Sequence, residues 1–97
     1  MKVGYVRVST VEQNLARQLE LMKTLGVEKI YCDKMSGKNT ERTEFKEMIE
    51  FLREGDTLHV ESFSRLSRST LDFLNTVSRL QAKSVNLVSD KEKMDMS

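Results

Sequence analysis

Four short stretches of the chain combine β-branched, aromatic and other apolar residues in the manner of strands, with polar segments on either side of each. They lie at residues 3–8, 28–32, 57–61 and 85–88. Between them, apolar residues recur every three or four positions, as on the buried face of an amphipathic helix. The pattern therefore predicts a chain in which strands and helices alternate.

Three helices follow from this spacing. The first is expected to end at Gly26 and the second at Gly55, because glycine readily adopts the left-handed conformation that closes a helix. Thr10 and Gln13 form a capping-box pattern at the start of the first helix. The expected buried faces are Leu15, Leu19, Met22 and Leu25 in the first helix, Phe45, Met48, Ile49 and Leu52 in the second, and Leu71, Leu74 and Val77 with Leu80 or Gln81 in the third.

Strands that alternate with helices of this length predict right-handed crossover units. The expected fold class is α/β, with a mostly parallel four-stranded sheet flanked by helices. Residues 1–97, of which 38% are hydrophobic, are expected to form one domain around one core, with a polar tail over residues 90–97. Because open parallel sheets bind ligands beyond the carboxyl ends of their strands, the loops after the first three strands should meet at one edge.

Cysteine content and hydropathy limit the cellular setting. Cys32 is the only cysteine, which excludes an intramolecular disulfide and a cysteine-based zinc site. No stretch has the length and apolar character of a signal peptide or a transmembrane helix. A cytoplasmic protein without membrane contact is expected.

The net charge of +1 is low for a protein that binds nucleic acid, but the positive charges are unevenly distributed along the chain. Four of the seven arginines fall in three short polar segments that also hold Ser9, Ser36 and Ser64. Guanidinium groups offer planar paired donors that match phosphate oxygens and keep their charge. The arginines concerned, Arg7, Arg42, Arg65 and Arg68, therefore indicate a phosphate diester as the ligand.

A serine hydroxyl among arginines can attack phosphorus, because positive charge stabilises both the alkoxide and the five-coordinate transition state. Ser9 has no aspartate and histidine pair near it, His59 lies within a predicted strand, and the sequence holds no glycine-rich phosphate loop. Paired carboxylates that could hold two metal ions are also missing from the predicted strand ends.

Three ordered blocks carry a resemblance to a known family. The first is YVRVST at residues 5–10, followed by Gln13 and Gln18. The second is DKMSG at residues 33–37 with Arg42 shortly after, and the third is the GD pair at 55–56 followed by RLSRS at 65–69. Together they resemble the N-terminal catalytic domain of the serine recombinases, the resolvase/invertase family.

The resemblance implies that Ser9 is the nucleophile in site-specific recombination of double-stranded DNA. The serine becomes linked to a DNA 5′-phosphate, a 3′-hydroxyl leaves, and that hydroxyl reseals the new joint after rearrangement within a tetramer. Homodimers and tetramers are implied for the full-length protein, and neither a nucleotide cofactor nor a metal is implied, which agrees with the missing carboxylate pairs. Arg7, Arg65 and Arg68 would bind and activate the scissile phosphate, and the supporting residues would be Gln18, Ser36, Arg42, Tyr5 and Gln13.

The chain departs from the family pattern in two respects. Ser64 occupies the position where the family usually has an aspartate, and a serine can hydrogen-bond a phosphate oxygen but cannot act as a general acid near neutral pH. The long dimerisation helix and the DNA-binding helix-turn-helix of full recombinases are absent from these 97 residues. A catalytic-domain fragment or a truncated gene product is therefore expected.

Structural roles compete with the catalytic ones at several positions. Ser9 with Thr10 could cap a helix, and Arg42 could cap the helix that follows it. Arg65 and Arg68 could pair with carboxylates, of which Glu61 and Asp72 are nearest in sequence. Two other functions also remain open. They are a non-catalytic regulatory or dimerisation domain, and an enzyme of small-molecule phosphates, which would need a closed pocket.

Overall fold

The computed structural model describes residues 1–9, 15–35 and 42–95, apart from the side chains at positions 9, 35 and 94. The predictions for Thr10, Gln13, Ser36 and Gly37 therefore lie outside the described residues. The elements in chain order are β1 (Lys2–Ser9), α1 (Leu15–Thr24), β2 (Lys29–Met35), α2 (Thr43–Phe51), β3 (Thr57–Val60), α3 (Phe63–Leu66), α4 (Thr70–Ala82), β4 (Asn86–Ser89) and β5 (Met94–Asp95).

The sheet has the order β2-β1-β3-β4-β5. Strands β1 to β4 are parallel, which confirms the predicted α/β class and the four parallel strands. The two-residue β5 pairs antiparallel with β4, in a region for which only a polar tail was expected. From β1 the chain first adds β2 on one side and then β3 and β4 on the other side, so the strand order reverses between β1 and β3. In open parallel sheets ligands bind at such a point, which here is the crevice beyond the carboxyl ends of β1 and β3.

Helices cover the sheet on both faces. The larger core cluster contains Val3 and Tyr5 of β1 and side chains from β2, α2, β3, α3, α4 and β4. The smaller cluster joins Val6 and Val8 of β1 to Met22 of α1. A Cβ atom at Gly4 would lie 2.8 Å from the sulfur of Met22, so glycine at this position allows α1 to pack closely on the sheet.

The expected buried face of α4 was partly wrong. Leu71 and Leu74 are 69% and 57% exposed, whereas Thr76 and Leu80 are buried and Phe73 and Val77 are partly buried against the core. Contact with the short helix α3 explains why a different side of α4 from the predicted one faces the core. Its Phe63 ring packs 4.8 Å from the ring of Phe73, which turns the Phe73 side of α4 inward. Leu19 of α1, also expected in the core, is 38% exposed.

Side chains from other elements hold both ends of α2. The carboxylate of Asp33, at 6% exposure, accepts hydrogen bonds of 3.0 Å from the amides of Glu44 and Phe45 in the first turn. Lys83 donates to the carbonyl of Leu52 at 3.1 Å and also to that of Ile49. Free amides and carbonyls at helix ends need such partners, so α2 is fixed to β2 at its start and to the end of α4.

Asp33→Asn should destabilise the fold by about 2 kcal/mol and lower Tm by roughly 10 °C, because the buried acceptor loses its charge and gains an N–H group facing other donors. Thermal unfolding followed by circular dichroism measures this effect. The matched control is Asp90→Asn, since the Asp90 carboxylate is 35% exposed and pairs with the exposed Lys93 at 3.5 Å, so its loss should change stability by less than about 0.5 kcal/mol. Equal effects in the two variants would contradict the capping role.

His59 is the only histidine and lies in β3 at 7% exposure. Leu58 and Val60 on either side of it belong to the larger core cluster, so the ring points to the opposite face of the sheet. Neither ring nitrogen has a hydrogen-bond partner within the described part of the chain. Burial lowers the pKa of His59, and the charge of Lys2 lowers it further while Asp95 opposes the shift.

Stability should therefore fall as the pH drops below about 6.5, because the unfolded chain then binds a proton that the folded chain resists. Urea unfolding at pH 7.5 and pH 5.5 measures this, with a lower midpoint expected at pH 5.5. In His59→Gln the difference between these two midpoints should shrink. An unchanged pH difference in that variant would show that His59 does not cause it.

The length and apolar character of the helices bear on the prediction that the chain has no transmembrane helix. Among the residues that the structure describes, no helix is long and apolar enough to cross a bilayer.

Candidate active site

The candidate site lies at the carboxyl edge of the sheet, where β1 and β3 end. Ser9 is the last residue of β1, and its backbone is in register with Met35 at the end of β2. The segment that follows β3 contains α3 and leads to α4 at Thr70. The backbone therefore brings the ends of the first two strands together as predicted, although residues 10–14 and 36–41 beyond them lie outside the described chain.

Arg7 and Arg65 join β1 to the segment after β3. The Arg7 guanidinium donates to the backbone carbonyl of Ser64, and the Arg65 guanidinium donates to the carbonyl of Arg7 at 3.4 Å. Each arginine thus contacts the backbone of the other's segment. The sequence placed these residues 58 positions apart, and the fold brings them to one place.

Positive charge is concentrated around Arg7. Burial lowers the pKa of Arg7, and the charges of Arg42, Arg65 and Arg68 lower it further, while Tyr5 acts in the opposite direction. Since charges of like sign interact strongly only at short range in a protein, all four predicted arginines contribute to one positive field. Such a field favours an anion with several oxygens.

Arg68 is the exposed member of this group. It lines an open hollow of about 290 Å³ together with Phe63, Ser64, Ser67, Ser69, Thr70 and Phe73. A larger hollow of about 480 Å³ lies at the amino ends of the strands, beside Lys2, Gly55 and Thr57, and contains none of the predicted site residues. The predicted site residues therefore lie at the smaller hollow, which is open to solvent.

Arg42 is buried at 5% exposure and has partners in the protein. Its guanidinium pairs with Asp72 at 2.8 Å, donates to the carbonyl of Leu66 and lies 3.7 Å from the centre of the Phe45 ring. Two of its three nitrogens are therefore occupied, and the third, Nε, is buried. Arg42 is therefore suited to holding neighbouring segments of the site in place from the protein interior.

Tyr5 also lies beneath the site. Its hydroxyl donates to Asp33 at 2.8 Å, and its ring packs edge-on against Phe45 with centroids 5.5 Å apart. Burial and then the hydrogen bond to Asp33 raise the pKa of Tyr5 far above its ordinary value, so the phenol stays protonated. Tyr5 and Arg42 therefore anchor β1 and α2 to each other through Asp33 and Phe45.

Gln18 approaches from the other face of the sheet. It is fully buried on α1, and its amide nitrogen is 3.5 Å from the carbonyl of Arg7, which is a long hydrogen bond. Its neighbour Arg17 pairs with Glu61 at 2.9 Å. Gln18 therefore lies against the backbone that carries Arg7.

Ser64 is exposed, and its hydroxyl is 2.9 Å from that of Ser62, which is 3% exposed. Ser64 also supplies the carbonyl that Arg7 contacts. The residue that stands in place of the family aspartate thus contributes a backbone acceptor and a hydroxyl at the site.

Two carboxylates that were not among the predicted site residues organise this region. Asp33 was noted only as the start of a sequence block and Asp72 only as a possible ion-pair partner. Asp33 could have been found as an acidic residue at a predicted strand end just before a helix, but its partner amides are 11 and 12 residues away. Local capping patterns do not reveal a contact over that distance.

Metal binding has no support in the described residues, which contain no group of three or more histidine, cysteine or acidic side chains able to hold an ion. The side chain of Ser9, and Gln13 and Ser36 as a whole, lie outside the description. The roles predicted for them stay predictions.

Comparison with known proteins gives a consistent family assignment. The sequence model described as "Resolvase, N terminal domain" matches residues 2–97. A resolvase from Clostridium perfringens is 45% identical over 94 residues, which are 95% of this chain and 50% of that protein. A DNA-invertase of Enterobacteria phage P7 is 42% identical over 97 residues, which are 100% of this chain and 52% of that protein.

A solved structure is similar as well. A resolvase family site-specific recombinase from Streptococcus pneumoniae superimposes with a TM-score of 0.80 and 29% identity, over 98% of this chain and 75% of that one. The chain spans about half the length of the curated relatives that it matches.

Proposed function

The chain belongs to the serine recombinase family of resolvases and DNA-invertases, as a resolvase N-terminal catalytic domain, and we propose that its Ser9 attacks a phosphodiester of double-stranded DNA during site-specific recombination. The observation that carries this proposal is the cluster of guanidinium groups at the carboxyl end of β1. Arg7 donates there to the carbonyl of Ser64 and Arg65 donates to the carbonyl of Arg7, and Arg68 is exposed beside them.

In the proposed reaction the Ser9 oxygen gives up its proton and forms a bond to phosphorus, and the bond from phosphorus to the 3′-oxygen breaks. The 3′-oxygen takes a proton and leaves as a hydroxyl, and the DNA 5′-phosphate stays on the serine. The reverse attack by a 3′-hydroxyl of another end restores the serine. Bond energy is conserved at each step, so the reaction needs no nucleotide cofactor. The arginines would supply the positive charge that a metal ion could otherwise provide.

The arginines would have two roles, phosphate binding and support of the backbone. Arg7, Arg65 and Arg68 would bind the non-bridging oxygens of the phosphate, where positive charge stabilises the five-coordinate transition state. Arg42, Tyr5 and Gln18 would hold the backbone that carries these groups, given their buried contacts. Ser36 and Gln13 keep the supporting roles implied by the family.

The open shape of the site supports a polymeric substrate over a small phosphate compound. Arg68 lines a hollow that is open to solvent, whereas an enzyme of small-molecule phosphates is expected to enclose its substrate in a closed pocket. We extend the proposal to the full-length protein, which would act as homodimers that join into a tetramer on DNA. A DNA substrate would also place it in the cytoplasm of a bacterium.

The test is covalent capture. The full-length protein is mixed with a duplex of its own recombination site that carries a nick next to the cleavage position, so that a short fragment diffuses away and resealing fails. Peptide mapping of the trapped complex by mass spectrometry should locate the DNA phosphate on Ser9. A link on another residue would remove the assignment, and the absence of any link would remove the proposed activity.

A further inference from the structure

Asp72, in the first turn of α4, makes three contacts at the edge of the site. The same carboxylate oxygen, Oδ2, accepts two hydrogen bonds. One comes from the Arg42 guanidinium at 2.8 Å and the other from the backbone amide of Arg68 at 3.1 Å. Its own amide donates to the hydroxyl of Ser69 at 3.1 Å. A single oxygen therefore joins a buried cation to the backbone of an exposed arginine of the site.

We propose that Asp72 is a positioning residue, which sets the place of the Arg68 guanidinium by holding the Arg68 backbone to the buried Arg42. This inference rests on the proposed function, since it assigns Arg68 a phosphate to hold. The neighbouring anchors are firm, because Arg42 is 5% exposed and also contacts the carbonyl of Leu66 and the ring of Phe45. A shift of Asp72 relative to Arg42 would thus shift Arg68 with it.

The charge of Asp72 is well suited to this role. Burial raises the pKa of Asp72, but the Arg68 amide and the charge of Arg42 outweigh burial and bring the pKa below its usual value. The carboxylate is 30% exposed and stays ionised at neutral pH, where it offsets the repulsion between Arg42 and the other guanidinium groups.

A simple helix cap predicts a different outcome from a positioning residue. Ser69 already accepts from the amide of Asp72 at the helix start, so capping of α4 does not depend on the Asp72 carboxylate alone. A purely structural role would change stability and leave the cleavage rate of the folded protein unaltered. Positioning predicts a slower rate at saturating DNA with little change in DNA affinity.

The experiment compares Asp72→Asn with wild type in the full-length protein, with Asp90→Asn as the matched control for loss of a partly exposed carboxylate charge. We expect single-turnover cleavage at saturating cognate DNA to fall by about 10-fold or more, since misplacement of a binding group acts on the chemical step. The DNA dissociation constant should change by less than about 3-fold, and Asp90→Asn should match wild type on both measures. A cleavage rate within about 2-fold of wild type would overturn the proposal.

A second measurement needs no reaction. Hydrogen exchange of the Arg68 amide in the free protein should be faster in Asp72→Asn by about 10-fold, because the amide loses its charged acceptor. If wild type forms no link to DNA, the proposed function fails by itself, and unchanged exchange at Arg68 would then overturn the positioning role.

If Asp72→Asn does not fold, Asp72→Glu takes its place. It keeps the charge but moves the carboxylate by one methylene, and a cleavage rate equal to wild type in that variant would overturn the proposal.

Discussion

Ser9→Ala should abolish the covalent link between protein and DNA, with strand cleavage lower by at least about 10³-fold, because the variant has no oxygen to attack phosphorus. Gel separation under denaturing conditions after incubation with nicked duplex measures the link. The fold should be unaffected, since alanine keeps the Cβ atom and the β1 backbone pairs with β2 and β3 regardless of this side chain. Binding of DNA without cleavage should also persist.

Ser78→Ala is the matched control for the loss of a hydroxyl. Ser78 is exposed on α4, outside the residues of the site, and its variant should link to DNA as wild type does. A covalent complex that persists undiminished in Ser9→Ala would mean that a different side chain is the nucleophile. Loss of DNA binding along with the link would leave cleavage unmeasured, so the duplex concentration must be raised until binding is saturated.

Arg68→Ala should slow strand cleavage at saturating DNA by about 10²-fold or more, the usual cost of removing one donor from a charged transition state. Stability should change by less than about 0.5 kcal/mol, because the Arg68 side chain is exposed. Single-turnover cleavage and thermal unfolding measure the two effects. Arg68→Lys should recover part of the rate, since it restores the charge without the planar pair of donors.

Arg79→Ala is the control for the loss of one positive charge. Arg79 is exposed in the last turn of α4, at the end of that helix away from the site. Its variant should cleave at the wild-type rate, although both arginine variants would weaken general attraction to DNA. Equal slowing in the two variants would show that Arg68 acts through overall charge and not through contact with the phosphate.

The main architecture could be predicted because its signals are local. Alternating apolar patterns identified the four parallel strands, and Gly26 adopts the left-handed conformation expected just after α1. The predicted end of the second helix at Gly55 was wrong, because α2 ends at Phe51 with an extended Leu52, and Gly55 takes the left-handed conformation in the turn before β3. The short strand β5 was missed because two residues carry no periodic pattern. The α4 face was misjudged because α3 decides which side of α4 turns inward, and that contact is tertiary.

The site could be predicted in part. Polar segments after parallel strands indicated the edge at which Arg7, Arg65 and Arg68 lie, and the family resemblance named them. The difference between Arg42 and the other arginines was not readable from sequence, since only the fold shows that Arg42 is buried against Phe45 and paired with Asp72. Burial and partner choice depend on contacts between distant segments, which spacing along the chain does not encode.

The interior place of β1 in the sheet has a mechanical consequence. Hydrogen-bonded ladders run along both of its sides, with register from Val3 to Ser9 against β2 and from Lys2 to Tyr5 against β3. Sliding or tilting this strand would break two ladders at once. If Ser9 carries out the proposed attack, its backbone is held in the sheet, and we expect the duplex to change its position to bring phosphorus into line with the serine oxygen.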